Sequence, residues 1–333
     1  MNDGEEEIVL RENLRVGALS PDALARIRRA TEAEWRANVT PEQPSVRRRW
    51  QPFAIAASVM LLALAGVGTY LSRGTVANGA ALARLERAEP PGVVELRPLW
   101  RESALDAGAD IHAGQKIAVR GGTLFALNGG GDLRVAPHSE IEVVSAQTVR
   151  LVRGELYVNI PPGARASGSF AVITDAGEFR HLGTQFALAV IDDSTRLRVR
   201  EGSVQWHAGH GESTVNAGTE MIVSRNFDSR RTPIEPAGDH WAWAESMAPD
   251  VDIDNRPLTE FLDWVARETG RKLVIADEAT RRQVAEIRMH GNVHGLDPLQ
   301  ALKAVMASTS LKLELPAGAI RVSFAGEPPA QHL

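Results

Sequence analysis

Two histidine pairs have a spacing that suits a metal ion: His207-x-x-His210 and His290-x-x-x-His294. Gly209 interrupts the first pair at a turn. The second straddles Gly291, outside any helical pattern, and no carboxylate pattern accompanies either, so all four read as surface histidines. Asp192-Asp193 reads as a hairpin turn, not as a general acid and base. The GGGD stretch at 129–132 would cradle a phosphate only if a helix followed it; none does, so a tight strand-joining turn is expected. Neither G-x-S-x-G nor H-E-x-x-H occurs. Cysteine is absent, which excludes disulfides and thiolate metal sites. The expectation is a non-enzyme with no catalytic residue, no metal and no cofactor.

The surrounding elements point to a protein organised along a membrane normal. Phe53 to Leu71 is a run of 19 uncharged residues that includes Leu61 and Leu62. As a helix it is about 28 Å long, close to the hydrocarbon thickness of a bilayer. A soluble core helix would show a polar face, and an export signal would be shorter and would begin nearer the start. Arg47, Arg48 and Arg49 precede the run and only Arg73 closely follows it, so residues 1–52 are expected on the cytoplasmic side. Within 1–52, nine acidic residues face nine basic ones, and the whole 333-residue chain carries a net charge of −5. That balance argues against direct DNA binding. From Ser20 and Pro21 onward the inner segment reads as a capped helix, with Leu24, Ile27 and Trp35 on one stripe. Fifty residues cannot bury much of a core, so the stripe is expected to meet itself, a dimer mate, the membrane surface or a partner protein; a partner-binding helix is favoured over a partly disordered tail.

Residues 72–91 read as a linker and 92–225 as an all-β domain, a sandwich or a solenoid-like stack. Short β-branched runs recur between glycine turns, and Leu197 and Val199 alternate with arginines. Residues 226–249 read as a connector in which Trp241 and Trp243 have strand-like or docking spacing. Residues 250–325 then repeat helix and strand. A stripe of Leu258, Phe261, Leu262 and Val265 stops at Gly270, and a second helix opens at Asp297-Pro298. An α/β module of two βαβ-like halves is expected, followed by a tail at 326–333.

Several features share one order across the β segment: Gly154-Glu155 after a strand, Thr174 with Gly177, and Leu182-Gly183-Thr184-x-Phe186. Glu201-Gly202 before Val204 and Ala217-Gly218 at the last strand complete the series. This ordered set resembles the FecR-type domain of iron-transport regulators. The 250–325 segment resembles the short domain at the N-terminus of secretins and TonB-dependent receptors. The resemblance implies an anti-sigma regulator of the bacterial inner membrane, single-pass, with its later domains periplasmic. It would hold an extracytoplasmic-function sigma factor inside and sense the signalling domain of a TonB-dependent receptor outside, for ferric-siderophore or haem uptake. The inner segment lacks the tryptophan-rich pattern usual in that family. The reading from another class is an envelope-anchored periplasmic binding module with no sigma partner. The resemblance also marks the Gly183–Thr184 bond, which some such regulators cut without a protease.

Overall fold

The computed structural model describes Asp22, Ala25, Arg28 and Arg29, and residues 81–97, 101–164, 170–209 and 211–324. The chain divides into two units, residues 1–70 and 71–333. In the first, the four described residues are helical, with Asp22, Arg28 and Arg29 exposed. Leu24, Ile27 and Trp35, and the run bounded by Phe53 and Leu71 with Leu61 and Leu62, lie outside the described residues. Among the described residues no helix is long and apolar enough to cross a membrane.

The second unit opens with a β-sandwich. Sheet A runs in the order β4 (Asp110–Ile111), β1 (Ala83–Ala88), β6 (Thr123–Leu127), β7 (Asp132–Val135), β9 (Thr148–Asn159), β12 (Gln185–Ile191), β13 (Ser194–Glu201), β16 (Thr219–Ser224) and β17 (Ser229–Pro233). Sheet B runs β3 (Arg101–Ala104), β2 (Val93–Arg97), β5 (Lys116–Val119), β8 (Ser139–Ser145), β9, β10 (Ala171–Thr174), β11 (Gly177–His181), β14 (Ser203–Ala208) and β15 (Gly211–Asn216). Strand β9 belongs to both sheets. Its first half pairs with β8 and, in parallel, with β10; its second half pairs with β7 and β12. Sequence alternation reads this stretch as two strands, because Gly154 interrupts the pattern; the glycine instead marks where one strand changes sheet.

Inward residues of both sheets, among them Leu85, Ile117, Phe125, Leu151, Leu156, Phe179, Phe186 and Val199, form one core. The period of two along each strand puts these residues inside and their neighbours outside. Residues 83–88, in the stretch that reads as linker, form β1 between β4 and β6. Ala83 and Leu85 are buried and Arg84 and Glu86 exposed, an alternation too short to stand out in the sequence.

After β17, a 3₁₀ turn (Asp239–Trp241) leads into α1 (Ala242–Ser246). Trp241 is therefore on a helical turn rather than a strand. It is fully buried with Tyr157, Ala187 and Ala244 on the outer face of sheet A. The C-terminal module comprises α2 (Leu258–Thr269), β18 (Lys272–Ile275), α3 (Glu278–Glu286), α4 (Pro298–Ala307), β19 (Leu311–Glu314) and β20 (Ala319–Phe324). Its sheet order is β18-β20-β19, with β18 and β20 parallel. Helix α2 buries Leu258, Phe261, Leu262 and Val265 against Leu302, Val305 and Met306 of α4. Asp297 and Gln300 form the capping box of α4. Each half is helix then strand; before α2 the expected leading strand reduces to the bridge Pro257↔Arg288. Acidic residues and the left-handed Asn255 fill the positions that strand would need.

Candidate functional site

The chain passes between the sheets at several neighbouring crossovers, and the ordered glycines lie there. One crossover, residues 182–184, leads from β11 to β12. A second, at Gly202, leads from β13 to β14, and a third, at Ala217-Gly218, from β15 to β16. They are stitched together: Leu182 N–H donates to Ser203 O at 3.1 Å, and Ala217 N–H to Gly202 O at 2.9 Å. Gly183 has φ +73°, a left-handed conformation that glycine enters without a steric penalty. Gly202 is left-handed too, and a side chain there would collide with the Gly183 carbonyl and lie 2.8 Å from Thr184 Cγ2. The Gly183–Thr184 peptide thus rests directly on the Gly202 backbone.

Around that peptide the groups are tightly held. The Gly183 N–H donates to His181 Nδ1 at 3.1 Å, which places the ring proton of the neutral imidazole on Nε2. His181 is fully buried beside Phe170. The Thr184 carbonyl accepts from Ile160 N–H at 3.0 Å. The Thr184 hydroxyl is the exception: it is buried, and no atom of the described residues hydrogen-bonds to it. Chemically this is an uncommitted nucleophile on the residue that follows a glycyl carbonyl, in a bent backbone.

Beside the crossover lies a buried ion cluster that joins the sandwich to the C-terminal module. Arg134 on β7 donates from Nε to Asp132 at 2.7 Å, from Nη1 to Ala244 O at 2.6 Å, and from Nη2 to Glu268 of α2 at 2.6 Å. Asn159 donates to Asp132 at 2.8 Å and to Glu268 at 3.3 Å, and accepts from Gln185 and from Arg267. Arg200 donates to Pro236 O, to Glu268 O and to Glu245, and its guanidinium lies 4.5 Å from the Trp241 ring centre. Burial alone would lower the Arg134 guanidinium, but the Asp132 and Glu268 carboxylates outweigh it and hold that pKa above the usual arginine range. Burial pushes the Tyr157 hydroxyl up to about 12, and it pushes Glu245 up against the opposing pull of Arg200.

The sequence singles out Gly183 and Thr184 but not this cluster. Arg134 and Arg200 stand on the outward side of sheet A, where alternation labels a residue as solvent-facing; the covering helices come from more than forty residues downstream. The tryptophan pair at 241 and 243 is the signal that something covers that face. The histidines are not brought into a shared site: His207 pairs with Glu212, His290 with Asp254 and His294 with Asp250, while His210 lies outside the described residues. Asp192 and Asp193 form the β12–β13 turn, and the GGGD stretch joins β6 to β7.

Residues 114–205, from just before β5 into β14, match the family described as FecR protein. The chain therefore carries a FecR domain, and the Gly183–Thr184 crossover lies within it. Two crystal structures of a candidate anti-sigma factor from Parabacteroides distasonis align over 63% and 64% of this chain and 98% and 97% of their own. Identity is 16% and the TM-score 0.33 in both cases, too low to carry an argument about function. No curated protein matches the chain.

Proposed function

We propose that the chain is an anti-sigma regulator anchored in the bacterial inner membrane. Its N-terminal segment holds an extracytoplasmic-function sigma factor, through Leu24, Ile27 and Trp35, and its outer domains receive a signal from a TonB-dependent receptor of iron uptake. The carrying observation is the FecR domain at 114–205, which follows an uncharged run of membrane length with arginines on its N-terminal side. The C-terminal module is the receiving end on this reading, since the open edges of its small sheet suit strand addition by a receptor's signalling domain. A reporter active only in the periplasm, fused after Ser72, should be active. Activity of a cytoplasm-only reporter at that position would overturn the topology.

A second activity is favoured by the unpartnered Thr184 hydroxyl. In this reading Thr184 Oγ1 attacks the Gly183 carbonyl carbon. The C–N bond breaks as the hydroxyl proton passes to the Thr184 nitrogen, leaving an ester that water opens to a Gly183 carboxylate and a Thr184 amine. The pieces would stay paired through β9 with β12 and β11 with β14. A denaturing gel should show fragments of about 20 and 16 kDa from the 36.0 kDa chain. Thr184→Ala should remove them and Thr184→Ser should keep them. A single full-length band from wild type, in cells lacking periplasmic proteases, would exclude the cut.

A further inference from the structure

The contacts that fasten the C-terminal module to the sandwich are concentrated at the end of one helix. Arg267 and Glu268, the last residues of α2 but one, reach across to sheet A. Two of the residues they touch, Asn159 and Glu201, adjoin in sequence the residues that contact the Gly183–Thr184 crossover, Ile160 and Gly202. Glu268 and Arg267 both bind Asn159, which is hydrogen-bonded to Gln185, the residue after Thr184. Asn159 also precedes Ile160, whose N–H holds the Thr184 carbonyl. Arg267 Nη1 binds Glu201 at 2.6 Å, and Glu201 precedes Gly202, on which the Gly183 carbonyl rests.

We propose that this cluster is a clamp through which the position of α2 sets the geometry of the Gly183–Thr184 crossover. The clamp is selective for a fixed docking pose, because its charges are buried. Arg134 and Glu268 have side chains only 0% and 3% exposed, and a buried charge separated from its partner has no water to turn to. The module therefore does not swing on a loose connector. Gly270, at the end of α2, strengthens the fit: it is left-handed, and a side chain there would collide with the Pro236 carbonyl and approach Arg200. A partner that pulls α2 away must take Glu268 from Arg134 and Asn159, and this frees the Asn159–Gln185 and Ile160–Thr184 contacts to loosen. The coupling stands apart from the anti-sigma reading and from whether the bond is cut.

Hydrogen exchange on the full-length chain tests it. Glu268→Ala should raise exchange at least about fivefold in peptides spanning 157–162 and 182–187. Peptides from β2 and β5, far from the clamp, should not change. If exchange at the crossover is unaltered while the amides of α2 and α4 stay protected, the module is merely attached and the proposal fails. Should Glu268→Ala not fold, Arg267→Ala decides instead, since that side chain is 25% exposed and its loss is milder. It should raise exchange in the same two peptides, and unchanged exchange there would overturn the clamp.

Discussion

Replacing Thr184 by valine asks whether its hydroxyl serves the fold. Valine keeps the branched shape that suits the extended entry to β12 and exchanges the hydroxyl for a methyl. A buried polar group left without a hydrogen bond costs about 1–3 kcal/mol. Thr184 Oγ1 is such a group, and the residue is fully buried. Thr184→Val should therefore stabilise the domain by roughly 1–2 kcal/mol, and not weaken it as most core changes do. For a unit of this size each kcal/mol moves Tm by about 2–4 °C, so Tm should rise by roughly 2–8 °C. The assay is thermal unfolding followed by circular dichroism, with a denaturing gel recording how much of each sample is cut. Thr184→Ser, which keeps the hydroxyl and loses the methyl packed on Gly202, should instead lower Tm. A fall in Tm for the valine variant would mean that the hydroxyl has a structural partner, and the case for an uncommitted nucleophile would collapse.

Two further perturbations address the clamp and its surroundings. The chain has two tyrosines, and Tyr157 is predicted to ionise only at about 12, against an ordinary value of 10.0. Its folded pKa is raised, so its stabilisation is complete below about pH 10 and is lost as pH rises from there to 12, on the order of 3 kcal/mol in all. Alkaline titration of tyrosine absorbance should show a late step that Tyr157→Phe removes; loss of a step near 10 instead would refute the burial argument. Gly270→Ala must leave the left-handed region or strain it, at about 1–2 kcal/mol, and must also push the Pro236 carbonyl and Arg200 aside. Calorimetry should show Tm lower by at least about 4 °C, and a change within about 1 °C would show that the two modules are not closely docked.

Much of the sandwich is legible in the sequence because its strands are amphipathic. Leu197 and Val199 face the core, while Arg196 and Arg198 point out and pair with Glu155 and Glu220. Strand β17, with the sequence SRRTP, has every residue exposed and so no pattern to read; only its pairing with β16 makes it a strand. Helix α3 offers little pattern to read, since its polar sequence buries only Thr280 and Val284. The glycines of the crossover were legible because each of those positions needs an unusual backbone. The clamp was not, because it unites Asp132, Arg134, Asn159, Gln185, Arg200 and Glu268, which no local periodicity connects. The clamp also bears on where the chain can be cut. Cutting the chain after Met247 looks like clean removal of a module, yet it would leave Arg134 without Glu268, and the remaining sandwich should be destabilised.

Capture of a sigma factor tests the proposed function most directly. Each extracytoplasmic-function sigma factor of the encoding bacterium would be co-expressed with the tagged full-length chain and recovered from solubilised membranes. One of them should co-purify with the wild type. Combined Ile27→Ala and Trp35→Ala should reduce its recovery at least about tenfold, as expected for loss of an aromatic and an aliphatic anchor, with the membrane level of the chain unchanged. Recovery of none of these sigma factors with the wild-type chain would contradict the anti-sigma reading and leave an anchored binding module in its place.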